Sequence, residues 1–318
     1  MKTDTFVSRG LVIRGSRNIL TVRVDVKEGP VELECRIKGK VLKDCENVYN
    51  PLAPGDWVMV EHEKNAKTAM ILSVEKRSSL FSRFNQKGAA SQLLAANAGL
   101  VLCVCTPASP PFRPRFLDRV LLQADIAEID AIIICNKIDL NQCGLDTEER
   151  LEDFKRIGYK VLKVSAKTGD GIDGLRREIT GKTCVLTGQS GVGKSSLINA
   201  MHPKLNIREG RLNEKYDRGV HTTSMSSLIE LFDSTQIIDT PGVRLFIPDG
   251  IKADEIVLHL REFAPLSGKC SFGMSCSHRT EPGCKILEAV TAGAIHEDRY
   301  ESFLRIYDDL EGKYNNDR

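Results

Sequence analysis

Residues 5 to about 75 alternate apolar and polar positions with a period of two, the pattern of half-buried strands. Five strands are predicted: Phe6–Ile13, Ile19–Val26, Glu32–Ile37, Trp57–Glu61 and Ala69–Val74. Gly15-Ser16-Arg17-Asn18, Glu28-Gly29-Pro30 and Pro54-Gly55-Asp56 supply turns between them. Five short strands in about seventy residues suit a small closed β-barrel of the OB type. Residues 76–92 are polar, basic and small without a period, and read as a linker. From Leu93 the pattern changes. Strand-like runs at Gly99–Cys105, Ala131–Cys135, Lys160–Val164 and Thr183–Thr187 alternate with helical periods at Arg115–Ala124, Glu148–Ile157, Gly171–Thr180 and Ser195–Met201. That alternation predicts a parallel, doubly wound α/β sheet. Met225–Leu231 and Thr235–Ile238 flank a short turn and read as an antiparallel pair at the sheet edge, after a mobile loop expected over 206–224. Beyond residue 250 the chain is helical apart from a Cys/His island. Tyr300, Phe303, Leu304 and Tyr307 share one helical face, a stripe suited to core rather than to a ligand. The expected organisation is therefore multidomain: an all-β barrel over 1–75, an α/β domain over 76–250, and a mostly α domain over 251–318.

Composition adds two constraints. Lys+Arg 45 against Asp+Glu 43 leaves the whole chain nearly neutral. Residues 1–43, however, carry ten Lys/Arg against five acids, a local excess compatible either with a polyanion-facing surface or with ordinary solvated strands. Of ten cysteines, Cys103, Cys105, Cys135 and Cys184 fall in apolar runs and three cluster beside a histidine, which suggests reduced thiols and one metal site. No charged-then-apolar leader and no run of eighteen apolar residues is present, so a cytoplasmic protein without a membrane span is expected.

The chemistry concentrates in the α/β region. Gly188-Gln189-Ser190-Gly191-Val192-Gly193-Lys194-Ser195-Ser196 fits the phosphate-binding loop, whose backbone N–H groups and following helix face the phosphates. Lys194 is expected at the β/γ-phosphates and the Ser195 hydroxyl at Mg²⁺. Asn136-Lys137-Ile138-Asp139 follows an apolar strand. There Asp139 can accept hydrogen bonds from N1–H and the N2 amino group of guanine, donors that adenine lacks. The Lys137 stem can lie along the base, and the Asn136 amide can tie loops together. In Ser165-Ala166-Lys167 the Ala166 N–H is expected at guanine O6. In Asp239-Thr240-Pro241-Gly242, Asp239 is expected at Mg²⁺ through water and the Gly242 N–H at the γ-phosphate. Together these stretches predict a GTP site. The guanine-reading motifs precede the phosphate loop, the reverse of the ordinary order, so the domain is circularly permuted. The position that carries a water-orienting Gln in Ras-like enzymes is Val243 here. His221 is the candidate in its place, and Thr223 is expected to complete the Mg²⁺ shell. Slow intrinsic hydrolysis stimulated by a macromolecule follows from this. Cys270-x₅-Cys276-x-His278-x₅-Cys284 offers three thiolates and an imidazole, the donor set of a closed structural Zn²⁺ site.

With these residues assembled, the chain resembles the ribosome-small-subunit-dependent GTPase family of the RsgA/YjeQ type over essentially its whole length. The resemblance rests on Cys35-Arg36-Ile37-Lys38-Gly39-Lys40, Pro54-Gly55-Asp56, Ala95-Ala96-Asn97, Asn136–Asp139, Gly188–Ser196, Arg218–Thr223, Asp239–Gly242 and Cys270…Cys284. It departs in carrying Gly99 where the family often has an acid, and in spacing the first two zinc ligands one residue wider. It implies a monomeric cytoplasmic GTPase that binds the small ribosomal subunit and its rRNA, cycles between GTP and GDP, and acts late in subunit assembly. Two other readings stand beside it: a switch with a protein effector, and a GTP-dependent factor for another RNA. Salt-dependent RNA binding by the barrel separates them.

Overall fold

The computed structural model describes residues 5–15, 19–26, 29–39, 48–140, 144–207, 226–242 and 245–315. Strands β1 (Thr5–Gly15), β2 (Leu20–Val26) and β3 (Gly29–Ile37) form an antiparallel meander. After β4 (Val48–Asn50), strands β5 (Trp57–Glu63) and β6 (Thr68–Val74) form a hairpin. β6 pairs parallel with β3, and β5 returns antiparallel to β1, so the five strands close into a barrel with no free edge. The predicted alternation points Val22, Val24, Leu33, Cys35, Val58, Val60 and Ile71 into one core.

Residues 76–92 are not a linker throughout. β7 (Leu80–Asn85) and β8 (Ala90–Ala96) form a hairpin that joins β4 in a three-stranded sheet. Its register shifts between Phe81 and Ser82, so both bury and the period of two is broken. The polar residues serve one another: Arg83 and Asn85 donate to Gln92 Oε1, and the Ser82 and Ser91 hydroxyls donate to Asp249. That mutual pairing is invisible to a hydropathy pattern.

The α/β domain follows with β9 (Leu100–Cys105), α1 (Pro114–Ile126), β10 (Asp130–Cys135), α2 (Leu145–Arg156), β11 (Lys160–Lys163), α3 (Ile172–Ile179), β12 (Thr183–Gly188) and α4 (Lys194–Met201). β13 (Ser227–Glu230) and β14 (Gln236–Asp239) complete it. The order β11-β10-β9-β12-β14 is parallel throughout. α1 and α2 cover one face through Leu117, Val120, Leu151 and Phe154, while α3 and α4 cover the other through Leu175, Ile179, Leu197 and Ile198. Both faces being covered, the central strands β9, β10 and β12 are almost wholly buried and mainly apolar, whereas the edge strand β11 carries exposed lysines at both ends. β13 and β14 do pair antiparallel, but they are not a free edge: Arg14 of β1 pairs with Ser227, which carries the sheet on into the barrel.

Pro54-Gly55-Asp56 and Ala95-Ala96-Asn97 meet at this junction. Gly55 has φ +95°, and a Cβ there would lie 2.0 Å from the Ala96 carbonyl oxygen. Asn97 Nδ2 donates to Gly55 O at 2.8 Å, and its Oδ1 accepts from Ser78 N. Asp56 is wholly buried and grips Arg77 with both carboxylate oxygens, at 2.7 and 2.9 Å. These motif residues are architecture.

Helices α5 (Ile256–His259), α6 (Lys285–Thr291) and α7 (Glu297–Asn315) build the C-terminal region, with Phe303 of the aromatic stripe buried beside Phe263. α7 packs on α1 through a buried ionic cluster. Arg299, 1% exposed, donates to Asp118 at 2.8 Å and to Glu262 at 2.6 Å, and Arg150 and Ser302 also approach Asp118. Removing one member leaves uncompensated buried charge. Arg299→Ala is expected to cost about 3–5 kcal/mol of unfolding free energy, read as a lowered denaturant midpoint. A cost under about 1 kcal/mol would show that the cluster does not hold this interface.

Candidate functional site

The phosphate loop spans the end of β12 and the start of α4. Gly191 and Gly193 have φ of +82° and +91°, the left-handed conformations that let N–H groups turn inward. At Gly193 a Cβ would sit 2.4 Å from Asn136 Nδ2, so the loop closes directly on the strand end that carries Asn136. Asn136 is buried; its Nδ2 donates to Val192 O at 2.9 Å and its Oδ1 accepts from Ala166 N at 3.1 Å. One amide thus joins all three upstream and downstream elements. The Ala166 N–H, expected at guanine O6, is in this arrangement directed at Asn136 instead, because the side chain reaches it first.

Lys137, with φ +66°, extends its Nζ to Gly191 O and Ser109 O, both at 2.7 Å. Ile138 and Asp139 lie in a short 3₁₀ turn, where Asp139 Oδ1 accepts from the Ser165 hydroxyl at 2.7 Å. The exposed Lys167 ammonium is 4.0 Å from Asp139 Oδ2. That leaves Oδ2 nearly free toward a base.

Lys194 Nζ donates to Gly188 O and Gln189 O at 2.9 and 3.2 Å, curling across the loop. Burial lowers its pKa, with Asp239 opposing. Burial also lifts the Asp239 carboxyl to about 7, the Lys194 charge pulling the other way. Asp239 Oδ1 is buried with no hydrogen-bond partner among the described residues, an orphaned acceptor that fits a hydrated cation beside Ser195. Gly242 packs on the loop: a Cβ there would lie 3.1 Å from Ser190 N and 3.4 Å from Lys194 Nζ. Gln189 follows β12 at the start of the loop, and Ser196 lies in the first turn of α4. His221, Thr223 and Val243 lie outside the described residues.

In the C-terminal region Cys270, Cys276, His278 and Cys284 are all buried, with one donor atom each within 4.8 Å of the others. His278 Nδ1 lies 3.5 Å from Cys270 Sγ and 3.4 Å from Cys284 Sγ, and these two sulfurs are 3.9 Å apart. Zn–S and Zn–N bonds of about 2.3 and 2.0 Å place tetrahedral S–S and S–N pairs at about 3.8 and 3.5 Å, so the cluster has the dimensions of that ion's shell. Cys270, despite its wider spacing, converges with the rest. Around the donors, Lys285 N donates to Cys270 Sγ, Tyr300 donates to His278 O, and Glu281 accepts from Ser277 N. Neither the Tyr300 contact, which comes from α7, nor the Lys285 contact, from the start of α6, leaves a signal in local spacing.

Residues 74–247 match the RsgA GTPase family model. The chain is 35% identical over 310 residues to the small ribosomal subunit biogenesis GTPase RsgA 2 of Bacteroides thetaiotaomicron, covering 96% of this chain and 98% of that one. The chain belongs to the RsgA GTPase family. It is thus a GTP hydrolase, and its fold superposes on YjeQ from Thermotoga maritima with a TM-score of 0.70 at 28% identity, over 96% of this chain and 99% of that one. YloQ, described as a circularly permuted GTPase, shares the fold with a TM-score of 0.65 at 24% identity, over 97% of this chain and 96% of that one. No described helix is long and apolar enough to cross a membrane.

Two outcomes check the site. Asp239→Asn removes a carboxylate whose charge burial disfavours and is expected to stabilise the nucleotide-free protein by about 1–2 kcal/mol, while weakening Mg²⁺-dependent GTP binding about tenfold or more; calorimetry of both reads the opposed signs, and unchanged GTP affinity would remove Asp239 from the cation shell. For the Cys/His cluster, elemental analysis should find one zinc per chain. A strong chelator should lower the thermal midpoint by about 10 °C or more, and a chelated protein of unaltered midpoint would refute a structural metal.

Proposed function

We propose that this GTPase acts in biogenesis of the small ribosomal subunit, hydrolysing GTP to GDP and phosphate when that subunit stimulates it, as a cytoplasmic monomer that binds rRNA. The observation that carries the reading is near-complete coverage: relatives named for that role match across barrel, permuted domain and metal cluster alike. Within the site, Asp139 accepts from the guanine edge, Lys137 flanks the base, and Ser165, Ala166 and Lys167 close the base pocket. Gly188–Ser196 holds the phosphates, and the Gly242 N–H meets the γ-phosphate. Ser195, Thr223 and Asp239 hold Mg²⁺, which when bound neutralises charge on the β- and γ-oxygens. Val243 cannot orient water, so His221 takes that part, and the subunit's role is to fix the geometry. Cys270, Cys276, His278 and Cys284 hold a structural Zn²⁺.

A second reading, a GTP-dependent switch with a protein effector, has one observation in its favour. A cleft of 550 Å³ on the barrel is lined by Glu34, Glu61 and Glu63 against Arg36, with His62 beside them. Two basic residues counted on from the sequence are also engaged. Arg9 lies 3.7 Å over Trp57 and pairs with Glu75, and Arg23 pairs with Glu230.

GTP turnover with and without purified small subunits is the direct test, with stimulation of about tenfold or more expected. His221→Ala should abolish most of the stimulation and leave GTP affinity intact. Turnover indifferent to the subunit would sink the ribosomal role, while full stimulation of the variant would sink only the histidine's.

A further inference from the structure

Beside the phosphate loop lies a second concavity that the GTP site does not use. Its volume is 420 Å³, within the range of about 300–1,000 Å³ typical of ligand pockets. Its walls come from three parts of the chain: the start of α1, the segment that follows Asp239–Gly242, and α7. Gln189 of the phosphate loop completes it.

The lining has two characters. The floor is apolar: Phe112 is half-buried with its ring reachable, Phe116 and Phe246 are buried behind it, and Leu245 stands 46% exposed at the side. The rim holds four arginines against one acid, Asp298. Two of the arginines are structural: Arg115 is held by Asp298 and Glu301, and Arg119 by Asp309 and the Phe246 carbonyl. The other two are available. Arg113 is exposed and its side chain has no hydrogen bond or ion pair among the described residues, and the Arg305 side chain has a 3.8 Å contact with Glu301. Charge complementarity therefore asks for an anion at the rim, and the floor asks for a flat apolar body below it.

We propose that this cleft takes an unpaired RNA nucleotide, its base against the Phe112 ring and Leu245 and its flanking phosphates on Arg113 and Arg305. Guanidinium groups pair with phosphate oxygens in bidentate fashion, and bases stack on aromatic faces regardless of sequence. The proposal rests on the RNA-binding reading above and gives it a place. It also supplies a route to stimulation. Gln189 adjoins Ser190, on which Gly242 packs, and Leu245 lies three residues beyond Gly242. A nucleotide seated between Gln189 and Leu245 fixes the spacing of the phosphate loop and the Gly242 segment, the geometry on which γ-phosphate cleavage depends.

The test uses the full chain with Arg113→Glu and Arg305→Glu, singly and together, none of these residues touching GTP. Circular dichroism and basal turnover confirm that the variants fold. The first readout is binding of a fluorescent single-stranded oligouridylate across a salt series. The double variant should bind about tenfold more weakly, with a salt slope smaller by about 2. The second is subunit-stimulated turnover, which should fall about tenfold while basal turnover stays put. Oligonucleotide binding unaffected by the double reversal overturns the proposal whatever the subunits do. If stimulation falls while that binding is unchanged, the occupant is a protein of the subunit and the RNA assignment is wrong. If the subunits stimulate neither wild type nor variants, the ribosomal reading fails, and the oligonucleotide arm alone still decides the cleft.

Discussion

The Asn136 side-chain amide is the contact on which the nucleotide site depends. It donates to Val192 O in the phosphate loop and accepts from Ala166 N in the Ser165–Lys167 loop, and it does so from full burial. In a permuted domain these elements reach the sheet in an unusual order, and no chain connection forces them into register. A buried amide with both ends satisfied does so, since leaving either end unpaired costs about 1–3 kcal/mol. Gly193 is the other half of the contact, because any Cβ there would displace the amide. The same contact occupies the Ala166 N–H, so the base-side geometry is set by loop closure before any base arrives.

Around that site the three regions are joined by polar contacts of opposite accessibility to sequence reasoning. The barrel meets the α/β domain through Gly55, Asp56 and Asn97, where a left-handed glycine and a buried Asp–Arg pair fix the approach. The C-terminal region meets it through Asp118, Arg299 and Glu262, charges removed from water and therefore dependent on one another. Between the two interfaces runs the segment 245–249, whose Phe246 packs on Phe81 and whose Asp249 N donates to Gln123. A displacement of the Gly242 segment therefore acts on a chain stretch anchored to both the hairpin and α1, which gives nucleotide state a physical path to the rest of the molecule.

Legibility varied with the kind of burial. Strands β9, β10 and β12 were plain because both faces are apolar, and the barrel strands because one face is. The hairpin at 80–96 breaks the pattern since its buried positions include Ser82, satisfied by distant Asp249, and Gln92, satisfied by Arg83 across the hairpin. The four residues from Asn136 to Asp139 announced their chemistry by type and order alone, and so did Cys270, Cys276, His278 and Cys284. The wide spacing before Cys276 looked anomalous in one dimension and is absorbed by a 3₁₀ turn at Gly273–Ser275 in three.

By itself, the sequence determined the domain classes, the guanine and phosphate motifs, their permuted order and the metal-binding donor set, because each depends on residue type and local spacing. Only the tertiary structure decided which polar groups face one another: that Asn136 occupies Ala166, that Asp239 keeps an oxygen without a hydrogen-bond partner among the described residues, that the barrel's arginines are partly spent on Glu75 and Glu230, and that Arg113 and Arg305 share a rim. Those facts depend on distances between segments far apart in the chain, and a side chain's partner across space leaves no periodicity for a pattern to catch.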